Sequence, residues 1–143
     1  MTQHTGDENG HDARLGLSVT HCRYVPYSHA HYAGDLVDGA HVLALFGDVA
    51  TEVCIRTDGD EGLFASYADV QFHQPVRAGD VLEIVATVSR IGTRSRDLDL
   101  VAQVTCRGRP EVSASAAGVL DPPLVAVTAR GTVVVPTPDD DGP

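Results

Sequence analysis

Two acidic residues, Asp48 and Glu52, stand four positions apart in the otherwise apolar run AHVLALFGDVATEVCIR, residues 40–56. Burying a carboxylate costs free energy unless it is paired or hydrogen-bonded. On a helix, side chains four apart have Cβ atoms about 6 Å from one another, so the spacing puts both acids in one space. In a dry site two such groups do not both ionise easily, and one pKa rises while the other stays low. The pair then offers a base, a proton donor and a negative pocket for a cationic amine. The alternative is a solvated face, or a pairing of Glu52 with Arg56, itself four residues on. At roughly 100° per residue, His41 falls within about 40° of both acids, about two turns before Asp48. It stands where it can hydrogen-bond or assist, or simply pack.

The elements that must hold these residues follow from periodicity. LGLSVTHCRY, residues 15–24, alternates as a strand does. PYSHAHYAGDLVDG is loop-like, with Pro26, Gly34 and Gly39 as punctuation. The run after it is apolar around most of its circumference, which predicts a helix enclosed by other elements, begun at Asp38–Gly39 and ended by TDGDEG, residues 57–62. Four strands are predicted over 64–76, 80–92, 97–108 and 124–136, with RPEVSASAAGVLDPP between the last two as a loop. Pro75 and Gly79 mark a tight connection. One long helix against an antiparallel five-stranded sheet is an α+β arrangement. One such sheet leaves half the helix wet, so the sequence predicts at least a homodimer. Residues 1–14 and 137–143 read as polar tails, flexible at the N-terminus and acidic at the C-terminus, around one domain at 15–136.

Composition narrows the function classes. A formal net charge of −10 argues against nucleic acid as a partner. All ten basic residues are arginines, so no lysine is present for Schiff-base or P-loop chemistry. Cys22, Cys54 and Cys106 form no CxxC and are expected as buried thiols in a reducing compartment. No apolar run approaches the ~20 residues of a membrane span, and no signal-peptide h-region is visible; a cytoplasmic protein without a membrane partner is expected.

The motifs then become recognisable. A glycine-containing loop, an acid-bearing helix, and FHQPVRAGD, Phe72 to Asp80, resemble the hotdog-fold acyl-thioester enzymes. LFGD, residues 45–48, resembles the acid-bearing helix of phenylacetyl-CoA-type hotdog thioesterases, with Asp48 at the catalytic carboxylate. HYAGDLVDGAHVLALFGDVATE, DGDEGLFASY, IGTRSR, SASAAGVLDPP and GTVVVP resemble the 3-aminobutyryl-CoA ammonia-lyase family from about residue 18 to 136. That family usually carries asparagine where this chain has Asp35.

The resemblance implies a hotdog fold and reversible deamination of a β-aminoacyl-CoA to an enoyl-CoA, with ammonia or a small amine as co-substrate and coenzyme A as part of the substrate rather than a cofactor; no cofactor is expected. Removing the α-proton of a thioester needs a placed base and a stabilised enolate oxygen. Backbone N–H groups near Gly39 and Ala40 are natural donors to that oxygen. Asp48 or Glu52 takes the proton while the other holds the ammonium; spacing does not assign them.

The leading alternative is a thioesterase acting on CoA or acyl-carrier-protein thioesters, which can also add an amine before hydrolysis. The second is a non-catalytic acyl-thioester-binding module, with Glu52 bridged to Arg56 and no pocket on the helix. His31, Tyr32, Asp35 and His41 are the candidate substrate contacts. His29 and His31 have a spacing seen in metal sites but lack a third ligand nearby, so no metal is expected. Tyr67 lines a pocket or packs. Arg90, Arg94 and Arg96 cluster in the IGTRSR hairpin, either solvated or gripping the phosphates of CoA, with Arg107 and Arg109 as weaker versions of the same idea.

Overall fold

The computed structural model describes residues 12–136. Strand β1 (Ser18–Tyr24) is followed by a two-stranded ribbon of β2 (Ala30–Tyr32) and β3 (Leu36–Val37), then by helix α1 (Gly39–Asp58). Strands β4 (Leu63–Phe72), β5 (Val81–Ile91), β6 (Ser95–Gly108) and β7 (Ala117–Val134) complete the chain. The main sheet is antiparallel with order β1-β5-β6-β7-β4. It wraps α1 in the hotdog arrangement that the motifs implied.

Strand periodicity of two makes this possible. Along β5, Leu82, Ile84, Ala86 and Val88 point inward and are buried, while their neighbours point out. Leu98, Leu100, Ala102 and Val104 do the same on β6. The helix answers with Val42, Leu45, Phe46, Val49, Ala50, Val53 and Cys54. Burying a side chain such as Phe46 is worth about 1.5–3 kcal/mol. Gly59, in the left-handed region at φ 67°, stops the helix and donates its N–H to the Ile55 carbonyl.

Three expectations are corrected. The helix is not enclosed: its buried residues form one stripe, while Ala40, Ala44, Asp48 and Ile55 are exposed on the opposite face. The segment 117–123, read as loop, is the first part of β7; it pairs with β6 from Cys106↔Val119 to Gly108↔Ala117. Pro122 and Pro123 masked it, and a register shift between Val104 and Cys106 accommodates the irregularity. Of the three free cysteines only Cys54 is buried, and burial pushes its thiol up to about 11; Cys22 is exposed.

The inner end of the expected N-terminal tail is docked: Arg14 bonds Asp12 and reaches Asp58 at the end of α1 at 2.9 Å. The rest of that tail, and residues 137–143, lie outside the described residues. Among the described residues no helix is long and apolar enough to cross a membrane.

Candidate active site

Helix α1 starts where β3 ends, with Asp38 extended at the cap position and its side chain making no capping hydrogen bond. First-turn N–H groups have no carbonyl one turn back to receive them, so those of Gly39 and Ala40 open this end of the helix, which carries a partial positive charge. Beside it is an apolar cavity of about 390 Å³. Tyr32, Leu36, Gly39, Val42, Phe72 and Pro75 form much of its wall. Gly39 matters sterically: a Cβ there would lie 2.7 Å from Cε1 of Phe72, so the missing side chain lets the ring rest on the helix start.

Asp48 is exposed at the opposite pole from the buried stripe and makes no hydrogen bond or ion pair among the described residues. Glu52 is bound at both oxygens. His21 Nε2 lies 2.7 Å from Oε1, and Arg56 Nε donates to Oε2 at 2.7 Å. The hydrogen bond from Arg56 first, and that involving His21 second, hold the Glu52 carboxyl below its ordinary value. The expected coupled pair in one dry space is therefore not formed, because Arg56 and His21 hold Glu52 while Asp48 faces outward. Glu52 stays ionised near neutral pH. The Glu52–Arg56 bridge is what the binding-module alternative predicted; the cavity at the helix start is what it did not.

The other candidates separate. Tyr32 lines the cavity and meets His31 edge-on, with centroids 4.6 Å apart; His31 itself is exposed. His41 is not joined to the acids but stacks on His29 at 4.1 Å. Burial first, then the neighbouring His29, lower its pKa against the pull of Asp38. Asp35 is exposed, at φ 60°, in a different depression from the apolar cavity. Tyr67 packs on Phe64 and donates to the Leu43 carbonyl at 2.8 Å, fastening β4 to α1.

The hairpin arginines are engaged elsewhere. Arg96 is 3% exposed, donates to Asp58 at 3.0 and 2.8 Å and to the carbonyls of Gly92 and Ser95, and so is a strut between hairpin and helix end rather than a phosphate grip. Arg90 Nε is 2.6 Å from Asp97, and Arg94 donates to the Val135 carbonyl. Burial raises the Asp58 carboxyl, but hydrogen bonds from Arg96 and Thr57 and the charges of Arg96 and Arg14 outweigh it, leaving it lowered.

Sequence reasoning missed two residues here. His21 lies two residues from buried Val19 on β1, and strand phase puts both on the helix side. Phe72 belongs to FHQPVRAGD, which points to the hotdog fold without giving that ring a place at the site.

Comparison with known proteins places this geometry in context. The Thioesterase superfamily matches residues 36–102. The 3-aminobutyryl-CoA ammonia lyase of Acetoanaerobium sticklandii is 49% identical over 107 residues, covering 75% of this chain and 85% of that protein. Among solved structures, the β-alanyl-CoA:ammonia lyase from Clostridium propionicum matches with a TM-score of 0.80 at 31% identity, over 85% of this chain and 86% of that one. A hexameric hotdog fold thioesterase of Campylobacter jejuni matches with a TM-score of 0.67 at 17% identity, over 82% of each chain, a likeness of fold alone.

Proposed function

Because the chain belongs to the 3-aminobutyryl-CoA ammonia lyase family, we propose that it eliminates ammonia reversibly from a β-aminoacyl-CoA, with Asp48 as the base. The carrying observation is that Asp48 is unpaired among the described residues whereas Glu52 is held by two partners.

One carboxylate suffices for this reaction. The β-amino group arrives as an ammonium, so its proton need not come from the protein. Asp48 removes the α-proton, the C–H electron pair becomes the new C=C bond, and the C–N bond breaks with its pair leaving on neutral ammonia. The negative charge that builds on the thioester oxygen is met by the N–H groups of Gly39 and Ala40. Tyr32 and Phe72 enclose the acyl arm in the apolar cavity. Asp48 then loses its proton to solvent or, in the reverse direction, returns it to carbon.

The site is read as shared between two copies. Asp48 is nine residues past Gly39, about 13 Å along the helix axis, and does not line the cavity at the helix start. The face of small residues around it, and the β4 edge that ends the sheet order, suit a homodimer in which one copy's Asp48 stands over the other's helix start.

Incubation with crotonyl-CoA and ammonia tests the reading. Loss of enoyl absorbance without release of free thiol is expected. Thiol release with retained acyl-CoA preference would instead make the protein a hydrolase, the reading favoured by the superfamily match.

A further inference from the structure

In this acidic chain the guanidinium groups are mostly committed: Arg14, Arg56, Arg90, Arg96 and Arg107 each sit on a carboxylate. Those of Arg77 and Arg109 make no hydrogen bond or ion pair among the described residues. Both line one cleft of about 400 Å³, together with Tyr24 and Tyr27. The tyrosines are 55% and 65% exposed.

Two glycines set the geometry of this cleft. A Cβ on Gly118 would lie 2.5–2.6 Å from the Arg109 guanidinium, so that group lies flat over the bare strand backbone. A Cβ on Gly79 would lie 2.9 Å from the Tyr27 hydroxyl oxygen, so the ring leans over the turn. Arg107 stands in the same cleft, but Asp80 holds it at 3.0 and 2.9 Å. Asp35 is a carboxylate on the same wall and opposes an anion there.

The cleft backs onto the apolar cavity. Gly34, Asp35, Arg77 and Ala78 face the cleft, while Leu36, Val37, Pro75 and Val76 of the same two segments face the cavity; Leu36 and Arg77 form a bridge between them. Forked guanidiniums suit phosphate oxygens, and tyrosine faces suit a stacked base. A ligand with a phosphorylated nucleotide head and a slender arm matches both depressions and the wall between them.

We propose that this cleft, through Arg77, Arg109 and the Tyr24–Tyr27 faces, holds the 3′-phosphorylated ADP end of the CoA thioester, in place of the β5–β6 hairpin. The assignment rests on a CoA thioester being the substrate, but its test does not need turnover.

The full chain is titrated calorimetrically with CoA and with adenosine 3′,5′-bisphosphate. Arg77→Gln and Arg109→Gln are each expected to weaken both ligands at least tenfold, and to lower the preference for a CoA thioester over its pantetheine counterpart by the same factor. Gly118→Ala, which needs no unusual backbone angle and displaces only a flexible side-chain end, weakens binding as Arg109→Gln does. Asp35→Asn, conservative at φ 60°, tightens it several-fold. Unaltered CoA affinity in both arginine variants, a loss in Arg90→Gln instead, or binding only of a phosphopantetheinyl carrier protein would overturn the assignment. CoA bound through this cleft by a protein without lyase activity would keep it and reject only the reaction.

Discussion

Glu52 on α1 and His21 on β1 meet at 2.7 Å across the seam between helix and sheet. That contact, with Arg56 on the other oxygen, occupies both oxygens of one of two adjacent acids, while Asp48 on the exposed helix face makes no hydrogen bond or ion pair among the described residues.

Asp48→Asn should lower kcat/KM for ammonia addition to an enoyl-CoA by about 10²–10⁴-fold, the range for loss of a positioned base. Because Asp48 is exposed and unpaired among the described residues, stability should move by no more than about 0.5 kcal/mol. Kinetics and calorimetry on one preparation measure both, and a variant with normal turnover would remove Asp48 from the mechanism.

Glu52→Gln should cost less than about tenfold in the same assay, well below the loss at Asp48. The lowered carboxyl means its contribution to stability is complete above the unfolded value of about 4.3 and is lost as pH falls through the folded one. The variant should therefore be less stable than the parent above about pH 4 and converge on it as pH falls. Movement of the acid limb of the kcat profile instead would make Glu52 a participant in proton transfer.

Asp58→Asn should destabilise by about 3–5 kcal/mol, because it strands the buried Arg96 guanidinium without its counter-charge. The lowered Asp58 carboxyl works in the same pH direction: its stabilisation is present above about pH 4 and is lost on acidification. Denaturant melts at pH 7 and pH 3 should differ less in the variant than in the parent. An equal difference would show that the pair does not govern acid sensitivity.

Phe72→Ala should lengthen the preferred acyl chain by opening the cavity at the helix start. Each methylene newly buried is worth about 0.8 kcal/mol, roughly fourfold in kcat/KM. Gly39→Ala should act oppositely, driving the ring into the cavity and penalising longer chains first. A chain-length series that is the same in all three proteins would place the acyl group elsewhere.

Local pattern determined much of this protein. Alternation along 80–92 and 97–108, the apolar helix with Asp38–Gly39 before it and glycine after, and the acid at 48 all follow from side-chain periodicity and backbone allowances, which act over a few residues. The motifs GDVATE and DGDEGLF carried the family, and FHQPVRAGD the fold. What only tertiary structure decided is which charges find each other. Spacing made Asp48 and Glu52 look like partners, yet the strand that packs beside α1 brought His21 to Glu52, and the hairpin that looked like a phosphate grip turned Arg96 inward onto Asp58. Proline hid the strand at 117–123 because its pairing depends on β6, not on its own preferences. Electrostatic partnership is set by distances across elements far apart in sequence, and those distances exist only once the sheet has closed around the helix.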